Sequence, residues 1–171
     1  MKRILLIMAI AILGIAGAKA QKFALVDMDY ILRNVPAYEM ANEQLNQLSQ
    51  RWQKEVEVKA KEAEDMYQSY LADKVFLTDD QVKKREEAIT AKEKEATELR
   101  YKYFGPEGEL YKKRQSLMKP IQEDVYNAVK KVSEERGYQM ILDRASSSDI
   151  IFASPRIDVS NEVLSKLGYS N

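Results

Sequence analysis

The chain has 171 residues, 27 of them basic and 27 acidic, with no His and no Cys. That length allows one ordinary domain. Zero net charge gives no cationic excess for nucleic acid or anionic lipid. Without His or Cys the two commonest activated side chains are missing. The carboxylates lie spread along charged stretches and no Ser has a suitable base, so an enzyme is not expected.

The chain opens with Lys2 and Arg3, then an apolar run from Ile4 to Ile15, then Ala18-Lys19-Ala20. The run is too short to cross about 30 Å of hydrocarbon. A positive start, a short apolar core and a small-x-small ending read as a secretory signal peptide, residues 1–20, cleaved after Ala20. With no Cys after the run, a lipid-anchored form is not expected. The leader holds three basic and no acidic residues, so the mature chain carries 24 basic and 27 acidic groups, net −3. An exported chain without Cys has no disulfides and must gain its stability from packing and self-association.

Residues Lys22 to Tyr30 read as a strand buried on both faces. Asp27 and Asp29 would share one face of it, a weak signal for cation binding beside the plainer reading of a strand end. Asn34 and Pro36 mark a helix start. Apolar residues then recur at Tyr38, Ala41, Leu45, Leu48, Trp52, Val56, Ala63, Met66 or Tyr67, and Tyr70 or Leu71, with a phase shift between Trp52 and Val56. About 38 residues to Lys74 predict a helix of roughly 57 Å.

Residues 75–80, Val-Phe-Leu-Thr-Asp-Asp, interrupt the pattern and predict the tip of an antiparallel hairpin. Thr78 or Asp79 is the expected N-cap of the return helix. Val82, Ile89, Ala96 and Tyr103 fall seven apart along it, while Arg85 and Lys92 occupy the other seam positions. Residues 37–103 hold 27 charged side chains in 67 positions, so the hairpin should be solvated around most of its girth and flexible. If Lys74 opposes Asp79, Tyr101 falls near Trp52.

Phe104-Gly105-Pro106-Glu107-Gly108 breaks the helix. It lacks the Gly-Lys-Ser/Thr ending of a phosphate loop. From Glu109 a stripe of Leu110, Arg114, Leu117, Ile121, Val125, Ala128 and Val132 predicts a helix ending at Arg136-Gly137, bent at Pro120. Strands are expected near residues 138–143 and 149–154, and a short helix from Asn161 to Leu167 capped by Ser160. The predicted architecture is α+β and mostly α: a long antiparallel helical-hairpin arm on a small β-strand body whose open edges call for partners. The arm spans residues 37–108; the body takes residues 21–36 and 109–171.

The layout resembles the Skp/OmpH family of periplasmic chaperones. The likeness covers the whole mature chain. It rests on Phe23-Ala24-Leu25-Val26-Asp27-Met28 running into Tyr30-Ile31-Leu32, on the charged hairpin, on Met140-Ile141-Leu142-Asp143 and Ile150-Ile151-Phe152-Ala153, and on the closing Asp158-Val159-Ser160 with Val163, Leu164 and Leu167. The glycine-proline insertion looks like that of Bacteroidetes-type members. The resemblance implies a periplasmic homotrimer, jellyfish-like, that holds unfolded outer-membrane β-barrel proteins without ATP. No cofactor, metal, nucleic acid or stable membrane insertion is implied. The slightly acidic mature chain departs from the strongly basic arms that would favour lipopolysaccharide, so that ligand is not carried over.

Candidate client-contacting residues are Met66, Tyr67, Tyr70, Phe76, Leu77, Tyr101, Tyr103 and Phe104, large side chains that adapt to varied partners. Each has a plainer alternative as part of the hairpin seam. Candidate trimer or body packing residues are Phe23, Leu25, Val26, Leu117, Ile121, Val125, Ile141, Ile150 and Phe152. The competing function is a coiled-coil scaffold or adaptor for one envelope partner, which would demand a better-packed seam.

Overall fold

The structure, a computed structural model, describes residues 22–169; the leader read above lies outside them. Within that range the chain forms two compact units, residues 22–34 with 125–169, and residues 35–124.

The first unit is built around strand β1 (Phe23–Val26), which pairs in parallel with β2 (Met140–Asp143). The register sets Phe23 against Met140 and Val26 against Asp143. Ala24, Leu25 and Val26 are all buried, as a strand covered on both faces requires. On its other edge Leu25 bridges Asp158, with the Val159 N–H donating to the Leu25 carbonyl at 2.9 Å.

Two sequence expectations change here. The first strand stops at Val26 instead of running to Tyr30. Asp27 ends it by capping helix α1 (Met28–Arg33), its carboxylate accepting from the Tyr30 N–H at 2.8 Å. A carboxylate at a helix N-terminus meets free N–H groups and the positive end of the dipole. Asp29 then falls in the first helical turn, and the two acids share no strand face. The second change is that residues 149–154 form no strand among the described residues. Their apolar side chains suit a pleat, but strand character needs a ladder partner. Both edges of β1 are already occupied, and Ile151 is wholly exposed.

Helix α2 (Pro36–Asp73) and helix α3 (Asp79–Phe104) pair in the second unit. A 3-10 turn, Lys74–Phe76, joins them. Thr78 caps α3, and the Gln81 side chain reaches back to accept from the Thr78 N–H at 2.9 Å, which satisfies a donor the helix cannot. Next come helix α4 (Glu109–Arg136), unbroken through Pro120, and helix α5 (Ser160–Lys166). The chain passes from the second unit into the first within α4. Gly108 is buried, and a Cβ there would lie 2.7 Å from the Tyr103 carbonyl, so only glycine fits the break.

Gly137 takes a φ of +70°, and the Tyr138 N–H returns to the Ser133 carbonyl at 3.0 Å. That is the six-to-one bond of a left-handed helix stop. Val125, Ala128 and Val132 on α4 are buried with Ile31, Val159, Val163 and Leu164 in the core of the first unit. Ser160 does not cap α5, whose cap position is Val159. Instead its buried hydroxyl accepts from the Asp27 N–H at 2.8 Å and donates to Asp158 at 2.6 Å. Arg144 closes the network with Asp27 and Asp158 at 3.0 and 3.6 Å.

Candidate functional site

The hairpin seam is narrow. Val56, Ala63 and Tyr70 on α2, and Ile89 and Ala96 on α3, are its buried residues, spaced by sevens as a two-helix seam requires. Val82 and Tyr103 continue the α3 series half-buried. Beside the seam lies a chain of ion pairs. Lys59 meets Glu62 and Glu95 at 3.3 Å each, Lys92 meets Glu62 at 3.1 Å and Glu95 at 2.8 Å, and Arg85 meets Asp73 at 3.5 Å. Glu95 and then Glu62 raise the Lys92 pKa; Lys92 and then Lys59 lower both carboxyls. Seam positions that looked unfavourable for a dry core are thus bridged by charge at the seam margin.

The pairing is offset from the flush one. Trp52 faces Tyr103, not Tyr101. Their rings stack at 4.8 Å between centroids and 7° from parallel. Tyr103 is the inward heptad position, whereas Tyr101 points to solvent, 71% exposed. The Tyr103 hydroxyl donates to Glu55 at 2.7 Å, and that carboxylate raises its pKa. Phe104 meets Tyr103 edge-on at 6.4 Å.

The candidate client-contacting residues therefore separate. Tyr67, Phe76 and Tyr101 are exposed, with Phe76 at 85%. Met66, Leu77, Tyr103 and Phe104 are half-buried. Tyr70 is buried in the seam, its hydroxyl donating to Glu86, because position 70 continues the heptad of 56 and 63. In this folded form it is no surface residue. Val58, Leu71 and Val75, which the client-contacting candidates did not include, are exposed too.

Of the candidate packing residues, Leu25, Val26, Ile121 and Val125 are buried, and Leu117, Ile141 and Ile150 are half-buried. Phe23 and Phe152 are exposed, Phe152 at 85%.

Within the hairpin, α2 and α3 border a groove of about 830 Å³ lined by Arg51, Lys54, Val58, Leu99, Lys102 and the Lys59–Glu95 pair, with Glu55 and Glu98 beside them. Among the described residues no His, Cys, Asp or Glu cluster could hold a metal, and no helix is long and apolar enough to cross a membrane.

A family profile, outer membrane protein (OmpH-like), matches residues 22–167. The chain belongs to the OmpH-like family. Its fold is also similar to a solved structure described as an OmpH-like outer membrane chaperone from Caulobacter crescentus, with a TM-score of 0.70 at 13% identity, over 88% of this chain and 86% of that one. At such identity the likeness is one of fold: a long helical hairpin with a small sheet. No curated protein matches the chain. On the hairpin of this OmpH-like chain seven large apolar side chains, Met40, Val58, Tyr67, Leu71, Val75, Phe76 and Tyr101, are exposed.

Proposed function

We propose that the protein is a periplasmic chaperone that holds unfolded outer-membrane β-barrel proteins without ATP and prevents their aggregation. The supporting observation is the hairpin surface. Val58, Tyr67, Leu71, Val75, Phe76 and Tyr101 are exposed; Val58 and Tyr101 stand singly, while Tyr67 and Leu71 are four apart on one face that leads to the Val75–Phe76 tip. Small apolar spots spread along a charged hairpin bind an unfolded chain weakly at many points. Weak multipoint contact retains a client and still releases it to a stronger sink.

In this reading residues 37–108 are the client-contacting arm. Residues 21–36 and 109–171 are the body of a homotrimer, whose exposed Phe23 and Phe152 meet other subunits. Neither family membership nor the groove calls for catalysis or a cofactor.

The test is light scattering with size exclusion on the mature protein, alone and after dilution of a urea-unfolded outer-membrane barrel protein into it. A soluble, discrete complex formed without nucleotide is expected. A trimer that leaves the client to aggregate would point instead to a scaffold for one envelope partner.

A further inference from the structure

Resting on that reading, we infer that the groove beside the hairpin seam selects client segments in which an apolar run is flanked at one end by carboxylates. Residues 51, 54, 55, 58 and 59 step by three or four along one face of α2, and residues 95, 98, 99 and 102 do the same on α3. The two faces leave a trough about 12 Å long at 1.5 Å per residue. An extended chain rises about 3.3 Å per residue, so roughly four residues fit. Val58, half exposed, and Leu99 are the only fully apolar side chains that line it.

The charges around the trough are unevenly matched. Of the three carboxylates lining it, Glu95 is paired with Lys59 and Lys92, Glu98 lies 3.7 Å from Lys94, and Glu55 keeps its charge, accepting only from the neutral Tyr103 hydroxyl. Three of the four cations lining it have no carboxylate partner. Arg51, Lys54 and Lys102 make no ion pair among the described residues; Lys102 only rests over the Tyr103 ring, 5.5 Å from its centre. All three stand towards the Trp52–Tyr103 end, while the opposite end is closed by the neutralised Lys59–Glu95 pair. An apolar floor whose mouth sets three unpaired cations against one unpaired carboxylate, Glu55, fits an apolar segment bearing Asp or Glu at one end. A segment bearing Lys or Arg there would meet three like charges.

The experiment compares two fluorescein-labelled peptides of alternating leucine and phenylalanine, one ending in aspartates and the other in lysines, by fluorescence anisotropy against the whole mature protein. The aspartate peptide should bind roughly tenfold tighter at low salt, the sum of a few weak exposed pairs. The gap should close as salt approaches about 1 M. Lys54→Glu combined with Lys102→Glu should invert the preference, and Leu99→Asn should weaken both peptides. All three positions lie on exposed or half-buried faces, and circular dichroism checks that the variants keep their helix.

Equal binding of the two peptides, no binding of either, or a preference that survives the charge reversal overturns the groove assignment. The same preparations enter the barrel-protein aggregation assay. Wild-type protein that holds the barrel but shows no peptide preference overturns the groove alone. Wild-type protein that lets the barrel aggregate overturns the holdase reading.

Discussion

Trp52 and Tyr103 stack across the hairpin with centroids 4.8 Å apart, on the helix pair whose tip lies at residues 74–78. No other aromatic pair in the described residues crosses from α2 to α3. It pins the register far from the turn, where a thin seam that includes Ala63 and Ala96 leaves slippage cheap.

Trp52→Ala should therefore destabilise the hairpin by about 2 kcal/mol, a half-buried aromatic plus its stacking. Urea unfolding followed by circular dichroism measures it. Tyr103→Phe keeps the stack and loses only the bond to Glu55, so it should cost under about 1 kcal/mol. Equal losses from the two variants would mean that the stack contributes nothing of its own.

The ion-pair chain predicts a two-sided pH dependence. Glu62 and Glu95 have pKa values below their ordinary 4.5. Their contribution is present above that value and is lost as pH falls through the lowered one. Lys92 is raised above 10.5, so its share is complete below 10.5 and is lost as pH rises through the raised value. The melting temperature should be level between about pH 6 and 10 and fall on both sides. Lys92→Met should make the alkaline fall shallower. The groups are solvent-exposed, so the effect should shrink in high salt.

Ser160→Ala should destabilise the first unit by about 1–3 kcal/mol. The hydroxyl accepts from the Asp27 N–H and donates to Asp158. Its removal leaves the partly buried Asp27 N–H without its acceptor and takes one hydrogen bond from Asp158, which keeps the Ser160 N–H and Arg144. Ser160→Thr, which keeps the hydroxyl, should recover part of the loss. Denaturant titration reads both; a neutral alanine variant would show that water replaces the hydroxyl freely.

Gly137→Ala isolates backbone strain. A Cβ there would touch nothing within 4 Å, but φ is +70°. The cost should be about 1 kcal/mol from the left-handed conformation alone. Gly137→Asn should cost less, since asparagine tolerates that region better. A fall larger than about 2 kcal/mol in thermal unfolding would mean that the α4 stop has to move.

What the sequence determined by itself was local and periodic. Heptad spacing at Val56, Ala63, Ile89 and Ala96 identified the seam, because helical geometry brings such positions to one face whatever the rest of the chain does. The interruption at Val75 to Asp80 and the stop at Gly137 were legible because turns and caps depend on a few adjacent residues. Four features had to wait for the tertiary structure. The slide of Trp52 from Tyr101 to Tyr103 depends on how a 3-10 turn closes the tip. The loss of a strand at residues 149–154 depends on whether a ladder partner exists, which no strand propensity can state. The recruitment of Ser160 by Asp27, 133 residues apart, depends on which backbone donors the packed units leave unsatisfied. The same is true of the groove at Val58 and Leu99, where two off-seam faces of little note in sequence become one surface only when the helices lie side by side.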